Sequence, residues 1–238
     1  MTRKKTFFDR LWLSDVLHLF FPNACYACGE ALIEQEEVVC TSCYFKLPKT
    51  GFHQHQENII SQIFWGRVKI HSATSFLFFN KGGHVQRLMH ALKYKGHKDV
   101  GIFMGKLFGE SLKESACFNK ADMIVPVPLH PKKKHKRGFN QSEVIAKGMQ
   151  SSLEIPVSTN NLVRQSHTSS QTKKARYTRW ENVKGVFTVS DADEFAGKHL
   201  ILVDDVLTTG ATLEACTLPL LEIPDTKVSV ATLAYAQV

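Results

Sequence analysis

The chain has 238 residues, 43% of them hydrophobic, and a formal charge of +8 at pH 7. That is enough chain for one or two domains with an ordinary core, and no run approaches the ~18 apolar residues of a membrane span. The surplus of cations favours anionic partners, namely polyphosphates, nucleic acid or an acidic membrane.

Met1-Thr-Arg-Lys-Lys-Thr-Phe-Phe has the basic start of a signal peptide. The apolar stretch after it is broken by Asp9, Arg10 and Asp15, and no small-residue cleavage site follows. The expected location is therefore the cytoplasm. Residues 7–21 read as a helix with Phe8, Leu11, Trp12, Val16, Leu19 and Phe20 near one face, stopped by Pro22. It either packs on the protein or lies on a membrane surface, since Arg3, Lys4 and Lys5 precede an aromatic face.

Cys25-Tyr-Ala-Cys28-Gly29 and Cys40-Thr-Ser-Cys43 stand eleven residues apart. Two thiolates separated by two residues can hold one metal, and two such pairs complete a tetrahedral shell of four sulfurs. The expected ligands of a structural zinc are thus Cys25, Cys28, Cys40 and Cys43. This use of four of the six cysteines points to a reducing compartment.

Residues 44–69 show no clear period, and His53 and His55 read as solvated. Ile70–Phe79 is β-like. Gly82-Gly83 opens a helix with Val85, Leu88, Met89 and Leu92 on one face, ending in Leu92-Lys93-Tyr94-Lys95-Gly96. A second helix falls near 100–116, and Cys117 is expected in the core. Asp122-Met-Ile-Val-Pro126-Val127-Pro128 reads as a strand running into a proline-set loop. Between Leu129 and Phe139, Lys132, Lys133, Lys134, Lys136 and Arg137 occur with no acidic residue, which reads as an exposed basic loop. Asn140–Leu153 reads as a helix and Leu162–Arg164 as a short strand. Residues 165–182 form a polar, basic insertion, expected to be disordered or a lid. Val183–Val189 and Thr226–Tyr235 read as strands. The alternation from about residue 84 onward predicts an α/β class with a mainly parallel sheet.

The most informative stretch is Leu200-Ile-Leu-Val-Asp204-Asp205-Val-Leu-Thr208-Thr209-Gly210-Ala211-Thr212. Four consecutive apolar residues predict a strand buried on both faces. The two carboxylates come where it should emerge, at the edge where open α/β sheets bind ligands. A loop of small and hydroxyl residues then leads into a helix. Its free N–H groups and positive dipole end suit a phosphate. A phosphate cradle beside two carboxylates suits a phosphorylated sugar. A P-loop nucleotide site is excluded by the absence of a Gly-x4-Gly-Lys-Ser/Thr motif. A receiver-domain pocket would place its acidic pair near the start of its domain, and here the pair stands late.

With these pieces together the chain resembles the ComF competence-factor family, and Leu202–Thr212 resembles the phosphoribosyl-pyrophosphate (PRPP) motif of type I phosphoribosyltransferases. The two cysteine pairs, Leu92–Gly96, Val125-Pro-Val-Pro-Leu-His130, Arg137-Gly-Phe-Asn-Gln-Ser142, Gln171-Thr172 with Arg176, Arg179 and Asn182-Val183, and Leu202–Thr212 carry the likeness in order. Lys174 departs from it, since an apolar residue usually stands after Gln-Thr. The resemblance implies a type I phosphoribosyltransferase-like sheet flanked by helices over residues 70–238, after a zinc-finger-like module over 1–69. It implies that Asp204 and Asp205 face the ribose hydroxyls as the catalytic pair and that Thr208, Thr209, Gly210, Ala211 and Thr212 hold the 5′-phosphate. The loop Pro126-Val127-Pro128 would lie at the pyrophosphate, carried with Mg²⁺. Its context would be cytoplasmic handling of single-stranded DNA in natural transformation, with competence or recombination proteins as partners.

The chemistry agrees with that reading. Loss of pyrophosphate develops positive charge at the sugar, which a carboxylate stabilises. Lys93, Lys95, Arg137, Arg176 and Arg179 are candidates to neutralise the leaving group, Arg137 foremost. Lys132, Lys133, Lys134 and Lys136, with Lys173, Lys174 and Arg176, are candidates for phosphates of single-stranded DNA. Phe139 or Tyr177 would stack bases if exposed. No acceptor base can be named, so turnover of PRPP on an unknown acceptor and binding without turnover both stand.

Overall fold

The computed structural model describes residues 23–165 and 186–237. The expected helix at 7–21, the polar insertion with Arg176 and Arg179, and Lys173, Lys174 and Tyr177 lie outside them. The chain divides into two units between Leu47 and Pro48.

In the first unit, an antiparallel bridge pairs Ala24 with Ala31. It closes a turn in which the Gly29 amide donates to the Cys25 carbonyl. Gly29 sits at φ 91°, a conformation open to glycine. A single helix turn, α1 (Thr41–Phe45), follows Cys40. Glu36 ties this turn back by accepting from the amide and hydroxyl of Thr41 and the amide of Ile33.

The second unit is built on four parallel strands: β1 (Ser72–Phe78), β2 (Met123–Pro126), β5 (His199–Leu207) and β6 (Lys227–Tyr235), in the order β1–β6–β5–β2. Leu200–Val203 are fully buried, as expected of a strand covered on both faces. A separate antiparallel pair is formed by β3 (Leu162–Arg164) and β4 (Phe187–Val189). Helix α2 (Ile59–Gln62) precedes β1, and helices α3 (His84–Tyr94), α4 (Lys98–Lys113), α5 (Pro131–Arg137), α6 (Gln141–Leu153) and α7 (Ala211–Leu221) connect the strands. No helix among the described residues is long and apolar enough to cross a membrane.

Two expectations are corrected. Residues 129–139 are not a loop. His130 caps α5 by accepting from the Lys132 amide, Pro131 opens it, and Gly138 closes it in the left-handed region. Its cations crowd the last turn, where the helix dipole favours them. Cys117 is only half-buried, and Phe118 fills the core in its place.

Residues 48–69, which no periodicity explained, pack on β1. Asn58 caps α2 and donates to the carbonyls of Phe52, His55 and Ala73, so this buried amide is satisfied by three separate places in the chain. The structural division at Leu47/Pro48 thus leaves 48–69 with the sheet, whereas the sequence suggested a boundary after 69.

Helices α4 and α6 approach until only glycine fits. A Cβ on Gly105 would collide with the Ile145 carbonyl, and one on Gly148 with the Ile102 carbonyl. This close pair fixes α6, and with it the residues at its start.

Candidate functional site

β5 outruns β2. Their pairing ends at Pro126↔Val203, while β5 continues along β6 to Leu207↔Tyr235. Asp204 and Asp205 therefore lie within a strand that is paired on one side and open on the other. The sequence placed them at the strand's end, and the structure places them where the neighbouring strand stops. Val127 leaves β2 at that point, its amide donating to the Val203 carbonyl at 2.8 Å. Asn140, the cap of α6, donates to the Val127 carbonyl at 2.9 Å. Pro126–Pro128 is thereby pinned beside the carboxylates, and the N-terminus of α6 faces them.

Asp204 accepts from the Ser142 hydroxyl at 2.9 Å and from the Asp205 amide at 2.8 Å. Burial, then the charge of Asp205, pushes its carboxyl up to about 7, against the pull of those two donors and of Lys93. Lys93, in the last turn of α3, forms an ion pair with Asp205 at 2.9 Å. The sequence named Lys93 for pyrophosphate, and in this structure it holds a carboxylate.

Arg137 donates to the Gln141 side chain at 2.7 Å and lies 5.6 Å from the Tyr94 ring centre. It thus stands between the end of α3 and the start of α6, against the immediate sequence neighbours of Lys93 and Ser142. Lys132, Lys133, Lys134 and Lys136 are exposed on α5, and Lys134 pairs with Glu143 at 3.2 Å. Phe139 is buried, with Lys98 lying 5.2 Å from its ring centre, so it offers no face for stacking.

Thr208, Thr209, Ala211 and Thr212 are exposed around the start of α7. Gly210 is buried at φ 76° and caps that helix without a side chain. A Cβ there would point at Ile63 and Phe64, 3.1 and 3.2 Å away. The need for glycine arises from the turn and the wall behind it. Arg67 reinforces the same wall. Its guanidinium donates to the Thr209 carbonyl at 2.8 Å and to the Ile63 carbonyl at 3.1 Å, and pairs with Glu214 on α7. Sequence reading missed Arg67, because its segment shows no pattern. It also missed Ser142 as a partner of Asp204, although the run Arg137–Ser142 was visible.

The four cysteine sulfurs of the first unit all lie within 4.8 Å of one another. The Cys28–Cys40 separation is 3.8 Å, close to the ~3.8 Å edge of a tetrahedron with zinc–sulfur bonds of ~2.3 Å. The amide of Cys40 donates to the Cys25 sulfur, and that of Glu30 to the Cys28 sulfur. Burial opposes ionisation of Cys25, but backbone donors from Cys40, Cys28 and Ala27 prevail and bring its thiol down to about 7. Burial and the neighbouring thiols raise Cys43. A shared cation is the group that would let all four ionise together.

Residues 139–237 match the phosphoribosyl transferase domain family. Together with the mainly parallel sheet flanked by helices, that match gives this part of the chain a type I phosphoribosyltransferase-like fold. Among curated proteins, competence protein F of Haemophilus influenzae is 36% identical over 93 residues, 39% of this chain and 41% of that protein. DNA utilization protein YhgH of Escherichia coli K12 is 27% identical over 129 residues, 53% of this chain and 56% of that protein. Competence protein ComFC of Bacillus subtilis is 26% identical over 203 residues, 80% of this chain and 81% of that protein. The first two matches thus span about half or less of the relatives' length. Among solved structures, the glutamine PRPP amidotransferase of B. subtilis complexed with ADP and GMP is similar at a TM-score of 0.43 and 20% identity, over 61% of this chain and 30% of that one. With its four-cysteine cluster ahead of the region matched by the phosphoribosyl transferase domain family, the chain is similar to the competence proteins F and ComFC.

Proposed function

We propose that the protein binds PRPP, with Mg²⁺, in the open angle between β5 and the end of β2. The observation that carries this reading is the carboxylate pair beyond the end of β2, followed within one turn by the exposed N-terminus of α7. Asp204 and Asp205 accept from the ribose hydroxyls. The amides after Gly210, with the hydroxyls of Thr208, Thr209 and Thr212, hold the 5′-phosphate. Pro126–Pro128 and Arg137 border the pyrophosphate. Lys93 turns from Asp205 toward the pyrophosphate, whose charge is the larger. Arg176 and Arg179 are proposed to close on the same group. Mg²⁺ arrives with the polyphosphate and keeps much of its water. The cysteine cluster holds one structural zinc.

The biological role that fits this ligand and the relatives' names is cytoplasmic handling of single-stranded DNA during uptake, with the exposed cations of α5 as phosphate contacts. Competence or recombination proteins would be its partners, and residues 7–21 would make any peripheral membrane contact. A second reading is turnover of PRPP onto an unidentified nucleobase or small acceptor, with Asp204 and Asp205 stabilising the charged sugar. The acidic pair favours it equally, and a pyrophosphate-release assay across bases, nucleosides and DNA separates the two.

Calorimetry with Mg²⁺ and PRPP tests the common core of both readings. Wild type should bind, and Asp204→Asn with Asp205→Asn should weaken binding by about tenfold or more, as two hydrogen bonds to charged groups change character. Absence of binding at millimolar PRPP, or an unaffected double variant, would remove the proposal.

A further inference from the structure

A cleft of about 610 Å³ opens along the segment that follows α2, behind the phosphate loop. Trp65, Arg67, Lys69, His71, Ser72 and Glu57 are among its lining residues. Four features set it apart from an ordinary crevice. Trp65 is 59% exposed, an unusual cost for so large an apolar ring. Arg67 and Lys69 bring a guanidinium and an ammonium group to a wall that also carries the carboxylate of Glu57. Ser72 is 1% exposed and its hydroxyl has no hydrogen-bond partner among the described residues, although buried hydroxyls are normally satisfied. Arg67 reaches from this cleft to the Thr209 carbonyl, so one side chain belongs to both places.

We propose that this cleft is a second nucleotide site, in which a base stacks on Trp65 and its phosphate is held by Lys69, Arg67 and the hydroxyl of Ser72. The indole face accepts any base, as stacking platforms for single strands do. The phosphate meets cations and a hydroxyl that has no partner among the described residues. Both a free nucleotide and a nucleotide unit of single-stranded DNA carry this chemistry. Asp204 and Asp205 are not among its lining residues, and it does not require PRPP to bind at them. Its link to that reading is Arg67. A phosphate drawing the guanidinium away from Thr209 and Glu214 loosens the loop that would hold the 5′-phosphate, so an occupied cleft should weaken PRPP binding.

The test uses the full chain with two probes, thymidine monophosphate by calorimetry and a labelled oligothymidylate by fluorescence anisotropy. Wild type should bind at least one of them. Saturation by the monophosphate shows that a free nucleotide suffices, and binding of the oligomer alone assigns the site to the polymer. Trp65→Ala should weaken binding by about tenfold through the loss of stacking. Lys69→Glu should weaken it at least as much, and serves alone if the tryptophan variant does not fold. Asp204→Asn with Asp205→Asn should bind the probes like wild type. The proposal is overturned if neither probe binds at millimolar concentration. It is also overturned if Trp65→Ala and Lys69→Glu bind as wild type does, or if replacing the four lysines of α5 alone abolishes binding. Saturating nucleotide should lower PRPP affinity severalfold, and an unchanged affinity breaks the proposed link through Arg67. If PRPP itself fails to bind, the nucleotide measurements still decide the cleft.

Discussion

Asp204→Asn should make the ligand-free protein more stable at pH 8. Burial first, and Asp205 second, raise the Asp204 carboxyl from 3.8 to about 7. A raised carboxyl contributes stability that is complete below the unfolded value and is lost as pH rises through the folded one. Here the loss runs from about 4 to about 7, and above that the folded protein carries an ionised group it would rather protonate. At ~1.4 kcal/mol per unit the cost is bounded by ~4 kcal/mol. The asparagine variant forgoes attraction to Lys93 and keeps an oxygen to accept from Ser142 and the Asp205 amide, so a net gain of about 2 kcal/mol is expected at pH 8. His199 sharpens the test. Burial, then the nearby His71, lowers its ring to about 4. That contribution is present above the unfolded value near 6.5 and is lost as pH falls through 4, a total of ~3 kcal/mol. Between pH 4 and 6.5 the two slopes oppose each other in the wild type. The variant keeps only the histidine slope, so its stability should climb more steeply with pH. Urea unfolding followed by circular dichroism at several pH values from about 4 to 8 reads both effects. A variant less stable than wild type at pH 8, or a difference that does not grow across that range, would refute the account of Asp204.

Affinity for PRPP should rise with pH through about 7, because the ribose hydroxyls need an ionised Asp204 as acceptor; calorimetry at pH 6 and 8 checks this. Elemental analysis should find one zinc per chain, and Cys→Ser at any of the four positions should lower the metal content and loosen the first unit, since metal binding there is folding energy. Replacing Lys132, Lys133, Lys134 and Lys136 by Ala should weaken single-stranded DNA binding and flatten its salt dependence by up to ~0.7 for each DNA phosphate that the lysines no longer neutralise. Gly148→Ala should destabilise the protein by about 2 kcal/mol, as a methyl group has nowhere to go against the Ile102 carbonyl; denaturant unfolding measures it.

How much of this was legible follows from what each signal depends on. The cysteine pairs and the β5 stretch are local patterns, and the structure gathers the four sulfurs and forms the strand where the sequence put them. The strand, its buried run and its loop were readable because a doubly covered strand has to be apolar throughout. What lay beyond sequence was the meeting of distant segments. Ser142 meets Asp204 across 62 positions and Arg67 meets Thr209 across 142. Arg67 is not marked by its neighbours, and the run Arg137–Ser142 stood out without showing that its serine would meet Asp204. The basic run between Leu129 and Phe139 misled in the other direction. Its charges suggested a loop, while His130, Pro131 and Gly138 carried the local signals of a short helix. Phe139 looked available because it followed those charges, and it is buried because α6 begins just after it.

The ligand-free site is held together by groups that its proposed ligand would displace. Lys93 neutralises Asp205, and Ser142 with a backbone amide occupies one oxygen of Asp204. PRPP would bring hydroxyls to those carboxylates and phosphates to that lysine, so Lys93 exchanges one anionic partner for another. The exchange is cheap only if the framework stays still. Asn140 pinning Val127, the glycine-tight packing of α4 on α6, and Gly210 backed by Phe64 keep the carboxylates and the loop in register. Arg67 is the exception, since it reaches the loop from an open cleft and is itself about one-third exposed. A second ligand could therefore act on the site through Arg67 more readily than through its buried supports.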